Sequence, residues 1–220
     1  MSQVDVYSHE GLEGLEGLKG LRWSTYCRGT VEKAAEVSPL GYERNEENMD
    51  VTEAIRTKRA IRRFKDEPLP EDAVEAILNA ARRSPTAGNA QYLIYTAVRD
   101  KELQAQLADI RQGAAHLGNA PIVVAIVAQT GKWSDSIIHF DSGQAAAYMM
   151  LQAWSLGIGS NVTWFGGEST AGEVLNLPAG TRCEWAISFG YPEDETAISA
   201  PMKPGERKPL EEVVRWGRWE

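Results

Sequence analysis

Gly157-Ile-Gly159-Ser-Asn-Val-Thr-Trp-Phe165-Gly-Gly167, preceded by Ala145-Ala-Ala-Tyr-Met-Met-Leu-Gln-Ala-Trp154, decides between the fold classes open to this chain. A dinucleotide-binding turn needs its glycines after a strand and at the opening of a helix. Here they follow a helical pattern and open a β-rich run, which excludes the doubly wound reading. The helical pattern spans about Asp135 to Leu156 and is apolar nearly all round, so it must be buried on more than one face. In a core of about 170 residues, one explanation is a second subunit that covers part of it.

Outward from that helix, Ile122-Val-Val-Ala-Ile-Val127 is apolar on both faces, as expected of a strand inside a sheet covered on both sides. Tyr92 to Val98, Ser160 to Trp164 and Arg182 to Phe189 read as further strands. Val74, Ile77, Leu78 and Ala81 recur at helical spacing, with Pro70 and acids in the first turn, Arg83 in the last, and Ser84-Pro85 as the stop. A charged helix is expected over about Lys101 to Ile110 and a short one over Ser169 to Leu175. An amphipathic fragment, Leu210 to Trp216, lies in the tail.

Residues 1–48 differ in character. Gly11-Leu-Glu-Gly-Leu-Glu-Gly-Leu-Lys-Gly-Leu21 places Gly at every third position, each destabilising a helix by roughly 1 kcal/mol relative to Ala. A poorly ordered N-terminal extension over 1–48 is therefore expected, followed by one domain over 49–220. An upstream start with Met49 as the working initiator, and a genuine appendage, both account for it.

The chain has 220 residues, 43% of them apolar, and a formal net charge of −8, which argues against a nucleic-acid or anionic-membrane surface. Residues 1–48 carry 5 basic and 9 acidic residues, so half of the excess lies outside the expected domain. Cys27 and Cys183 are the only cysteines, which excludes a disulfide framework and a cysteine-based metal site within one chain. His9, His116 and His139 lack metal-ligand spacing, and no metal is expected. No apolar run approaches the roughly 20 residues of a membrane span, and no signal-peptide pattern opens the chain. A cytoplasmic location is expected.

Four segments are candidates for chemistry. Lys58-Arg59-Ala60-Ile61-Arg62-Arg63 is either a solvated basic helix end or an anion site, because arginine forks match phosphate oxygens. Ser84 to Gln91 is either an ordinary turn or a loop whose small residues admit a ligand while Asn89 and Gln91 offer amides. The Gly157–Gly167 stretch is the third. Arg207-Lys208-Pro209 is the fourth, a charged tail by default. His139 and Asp141 read as structural, Cys183 as a buried small residue, and His116 faces any pocket only by way of its short loop. Trp133, Trp154, Trp164 and Trp185 read as core or interface.

Together these segments resemble the FMN-dependent nitroreductase family over residues 49 to about 216. The resemblance rests on Arg59-x-Ile61-Arg62-x-Phe64, Ser84-Pro-Thr-Ala-Gly-Asn89, Asp141 with its apolar helix, Gly157-Ile-Gly159-Ser160, Gly190-Tyr-Pro192 and Arg207-Lys-Pro-Leu-Glu-Glu-Val-Val214, in that order. It implies an α+β, three-layer nitroreductase-like fold, with a mixed central sheet flanked by helices, assembled as an intertwined homodimer with FMN at the subunit interface.

By the same resemblance, Lys58, Arg59 and Arg62 meet the FMN phosphate and the pyrimidine edge of the flavin, with Ala60 and Ile61 between them, and Arg207 closes on the phosphate. The family's Arg-Arg-Ser-x-Arg reads Lys58-Arg59-Ala60-Ile61-Arg62 here, and the lost serine hydroxyl is worth about 1 kcal/mol. Pro85, Thr86, Ala87 and Gly88 line the flavin and ribityl chain, and Asn89 hydrogen-bonds the ring, with Tyr92-Leu93 where the family usually has Pro-Trp. Thr163, Trp164, Phe165 and Gly166 match the stretch that approaches flavin N5 and O4. No catalytic side chain is assigned.

The implied activity is hydride transfer from NADH or NADPH through flavin N5 to a small conjugated acceptor, a nitroaromatic or quinone. The alternatives are a specialised flavin reaction on one metabolite (dehalogenation, ene reduction or flavin fragmentation) and a non-enzymatic flavin-binding protein. A longer lid usually accompanies specialisation, and the interval Asp109–Pro121 is short.

Overall fold

A computed structural model of the protein describes residues 49–167, 170–200 and 207–219. The readings of residues 1–48 and of Ser169 lie outside the described residues.

Helix α1, Val51–Thr57, starts where the Asp50 carboxylate accepts the Glu53 amide at 2.8 Å, an ordinary N-cap. Helix α2, Glu71–Arg82, follows Pro70, carries two acids in its first turn and buries Val74, Ile77 and Ala81. Strand β1, Leu93–Val98, leads to α3, Lys101–Asp109, capped by Asp100. A 3₁₀ turn over Gln112–Leu117, absent from the sequence reading, precedes β2, Ile122–Gln129, which is buried at all but its last residue. The long helix α4 spans Asp135–Ser155. Then come β3, Gly159–Trp164, the short α5, Ala171–Val174, and β4, Thr181–Gly190. Helix α6, Thr196–Ser199, and α7, Leu210–Val213, are single turns. The tail's apolar residues Leu210, Val213 and Trp216 are all exposed, and the helix stops at Val213 rather than continuing to Trp216.

The strands form one sheet in the order β1-β2-β4-β3, and every ladder is antiparallel. Among the described residues the parallel component expected of a mixed sheet is confined to one bridge, Ala60 to Ser160, on the free edge of β3. One face packs Ile122, Val124, Ile126, Ile187 and Phe189 against α2 and α4. The other packs Val123, Ala125, Val127, Cys183 and Ala186 against Leu107 of α3 and Leu117. Helices therefore lie on both sides of the sheet, giving three layers. On α4, Phe140 and Tyr148 stay 71% and 44% exposed, so a strip of its apolar surface is left open in the single chain.

Two features of the sheet position the candidate site. The 60–64 segment crosses β3 and β4 at Gly159 and Gly190, where a Cβ would lie 2.7 Å from the Ile61 side chain and 2.5 Å from Pro121, respectively. Only glycine permits that approach. In β4 the register against β2 breaks, with Ile126 opposite Trp185 but Val127 opposite Cys183. Glu184 is thus the extra residue of a β-bulge, a device that re-aims a side chain and is common beside active sites.

Candidate functional site

The basic segment begins at the C-terminus of α1, where Lys58 is the capping residue, and then runs beside β3. The Ile61 amide donates to Ser160 O at 2.9 Å, and the Ile61 side chain is buried. The alternation of an edge strand leaves Ala60 and Arg62 exposed on either side of it. Lys58 is half-buried, with Nζ 3.3 Å from Met150 Sδ on α4. Burial, then the neighbouring Arg62 charge, lower its pKa. Arg59 donates from Nη1 to Thr57 O at 2.7 Å and from Nη2 to Ala200 O at 2.6 Å. Among the described residues, no carboxylate forms an ion pair with Lys58, Arg59 or Arg62. The segment gathers cations whose mutual repulsion no described carboxylate offsets.

At its other end β3 carries Thr163, whose buried Oγ1 lies 2.6 Å from His116 Nε2, while His116 Nδ1 lies 2.7 Å from Ser188 Oγ. Ser188 Oγ donates to Asn161 O at 3.4 Å. We therefore assign Nδ1–H as the donor to Ser188 and the Thr163 hydroxyl as the donor to Nε2. Burial, then the Arg62 charge, lower the His116 pKa to about 4, which keeps the ring neutral. The Arg62 charge thus acts on Lys58 and on His116 in the same direction, lowering the pKa of both.

Trp164 is 43% exposed, and the Arg111 guanidinium both donates to its carbonyl at 2.9 Å and lies 5.7 Å over its ring. Phe165 is buried and its amide donates to Glu184 O at 2.8 Å. Gly166 has φ +104°, where side chains are strained, and a Cβ there would meet nothing within 4 Å. The backbone at this turn thus faces open space.

The loop over Pro85–Asn89 is organised differently. Gly88, Asn89 and Gln91 have φ of 57°, 52° and 51°. Such left-handed positions are tolerated best by glycine and asparagine. The Gln91 amide donates to Thr86 Oγ1 at 2.9 Å, so that hydroxyl oxygen serves its own loop. From α4, Asp141 Oδ2 accepts the Ala87 amide at 2.8 Å and the Tyr92 hydroxyl at 2.6 Å. Pro85, Gly88 and Asn89 remain exposed.

The residues singled out in the sequence therefore come together in two groups. Lys58–Arg62 and Thr163–Gly166 share β3. Pro85–Asn89 is pinned to α4 at Asp141, whereas Lys58 touches Met150 on the same helix. At the rise of an α-helix these two anchor points lie roughly 13 Å apart along its axis. Arg207 is exposed at the start of the last described segment. Sequence reading left Asp141, His116 and Glu184 outside the site. For Asp141 the signal was available, a carboxylate in an apolar helix. For Glu184 it was not, because a bulge is a property of strand pairing.

The nitroreductase family model matches residues 55–116. A protein of Archaeoglobus fulgidus, provisionally named NADH dehydrogenase/NAD(P)H nitroreductase, is 30% identical over 149 residues, covering 64% of this chain and 84% of that protein. This chain belongs to the nitroreductase family. A Thermus thermophilus protein named NADH dehydrogenase is 27% identical, over 76% of this chain and 96% of its own length. Among solved structures, an FMN-dependent nitroreductase from Clostridium difficile R20291 superposes with a TM-score of 0.66 at 26% identity, covering 76% of this chain and 98% of that one. Among the described residues of this nitroreductase-family chain, no helix is long and apolar enough to cross a membrane. No cluster of three or more His, Cys, Asp or Glu suited to a metal is present there either.

Proposed function

We propose that this chain is an FMN-dependent oxidoreductase that accepts reducing equivalents from NADH or NADPH and passes them to a small conjugated acceptor, a nitroaromatic or a quinone. One observation carries the reading: Lys58 and Arg62 repel one another beside β3 with no carboxylate partner among the described residues. A phosphate dianion offsets that repulsion, and the donor set of one ammonium and planar guanidinium forks suits its oxygens. The residues present fit the group.

In this reading Lys58, Arg59, Arg62 and Arg207 hold the phosphate and the pyrimidine edge. Arg59 exchanges its bonds to the Thr57 and Ala200 carbonyls in doing so. Ala60 and Ile61 keep these cations in register with β3. Thr163–Gly166 present backbone to the ring, with His116 holding the Thr163 hydroxyl. Pro85–Gly88 line the flavin, and Asn89 offers its amide to the ring.

FMN, when bound, supplies the two-electron relay between donor and acceptor. The chain's own contribution is to bind it, orient it, exclude water and place positive charge where negative charge develops. The separation of Pro85–Asn89 from the other segments along α4 supports a site built from two copies, as does the open strip at Phe140 and Tyr148. A homodimer with the site at its interface is the assembly proposed.

Purification, a visible spectrum and anaerobic titration with each nicotinamide test this reading. Yellow protein bleached by NADH or NADPH is expected. A colourless chain that takes up no added FMN overturns it, and bound FMN that neither nicotinamide bleaches favours a flavin-binding protein without this activity.

A further inference from the structure

The bulge at Glu184 places a carboxylate that is only 6% exposed against a histidine on α4. Glu184 Oε2 lies 2.5 Å from His139 Nε2, and Glu184 Oε1 lies 3.1 Å from Arg182 Nε. Arg182 continues to Asp135 at 2.9 Å. Without the bulge, Glu184 would fall into the ordinary alternation of β4, and its side chain would lie on a different face of the sheet.

The arrangement adjoins the turn that the proposed function uses. The carbonyl of Glu184 accepts the Phe165 amide at 2.8 Å. The His139 ring meets Trp185 edge-on at 6.1 Å, and Trp185 lies 6.1 Å from the exposed Trp164. His139 itself is 38% exposed, so its ring reaches solvent while its partner is buried. A buried carboxylate with two basic partners and a half-exposed imidazole at its end is more than a core needs. Burying an ion pair contributes little net stability.

We propose that His139, oriented by Glu184, is the proton donor to the acceptor in the reaction assigned above. The inference rests on that flavin reading and names a residue for a step that the reading leaves unassigned. A quinone that receives hydride at one oxygen becomes the hydroquinone monoanion, and one proton on its other oxygen completes the reduction. With Nε2 engaged by Glu184, protonated His139 gives up the proton on Nδ1. The N–H bond breaks, the O–H bond forms, the hydroquinone leaves neutral, and the ring, now neutral, takes a proton from water. Glu184 acts through His139 as a positioning residue: it fixes the ring and balances its charge. Asp135, Arg182 and Glu184 are the charged groups in this network among the described residues.

The test uses the full chain loaded with FMN and two acceptors under anaerobic conditions. A 1,4-naphthoquinone needs the proton, and ferricyanide takes electrons without one. In His139→Asn, where Arg182 still partners Glu184, the quinone rate should fall roughly 100-fold relative to the ferricyanide rate. Glu184→Gln should lower the same ratio by a smaller factor and alter its pH profile. A second readout needs no turnover: benzoate binding, followed by the flavin difference spectrum, should weaken at least roughly fivefold in His139→Asn through loss of a charge-assisted hydrogen bond. An unchanged ratio, equal losses with both acceptors, or unaltered benzoate binding in an FMN-loaded variant overturns this proposal alone. A chain that takes up no FMN overturns the functional reading and this proposal with it.

Discussion

Asp141 Oδ2 lies 2.8 Å from the backbone amide of Ala87, so a carboxylate on the central helix fixes the residue that leads into the left-handed turn at Gly88 and Asn89. The same oxygen accepts the Tyr92 hydroxyl, and burial followed by this carboxylate raises the Tyr92 pKa. Removing the carboxylate leaves a buried hydroxyl and an amide without their acceptor. Asp141→Ala should therefore lower stability by about 3 kcal/mol, measured by urea unfolding. It should also raise the FMN Kd, because Pro85–Asn89 loses its anchor. Unchanged values of both would show that the loop is held by something else.

His116 gives the chain a pH dependence of known sign. Its pKa in the fold is about 4, against an ordinary 6.5, so the unfolded chain binds the proton first. The associated stability is fully present above about pH 6.5 and is lost progressively as pH falls towards about 4. Replacing His116 by Asn should flatten the slope of unfolding free energy against pH in that window by up to one proton. An equal slope in wild type and variant would show that the ring is not buried neutral.

At Gly159 and Gly190 the approach of the 60–64 segment leaves no room for a methyl group. Each Gly→Ala substitution should destabilise the chain by about 1–3 kcal/mol. The loss at Gly159 should be accompanied by weaker FMN binding, since Ile61 cannot retreat without carrying Arg62. Thermal unfolding and fluorescence titration with FMN check the two halves of this prediction.

The double variant Arg59→Ala, Arg207→Ala should weaken FMN binding by at least roughly tenfold, as expected for losing charge-assisted hydrogen bonds. Arg62→Ala should weaken it as well. Burial and then the Arg62 charge lower the Lys58 pKa, so the same substitution should let that pKa recover part of the way towards its ordinary value. Unaltered FMN affinity in the double variant would place the phosphate elsewhere even with FMN bound.

Much of this architecture was legible in the chain because burial writes a period into sequence. Val74, Ile77 and Ala81 announced α2, and the unbroken apolar run of β2 announced a strand covered on both faces. The glycines of 157–159 were legible as a helix stop and strand start. What escaped was pairing. Antiparallel order throughout the four-stranded ladder depends on partners far apart in sequence, and the Glu184 bulge exists only relative to Ile126 and Val127. The basic segment stood out by charge, yet nothing local distinguished a solvated helix end from a ligand site. That no carboxylate among the described residues forms an ion pair with Lys58 or Arg62 is likewise a three-dimensional relationship that no local pattern contains.

The single parallel bridge at Ala60 and Ser160 has an effect on fidelity. Because side chains alternate across an extended segment, a slip of one residue would turn Ile61 out to water and, depending on its direction, leave its space to the small Ala60 or press the Arg62 guanidinium into it. Burying an unpaired charge is strongly unfavourable. The segment therefore proofreads its own docking: a slip loses the buried Ile61 in either direction and in one of them buries a charge as well, so chains out of register are the ones least able to stay folded.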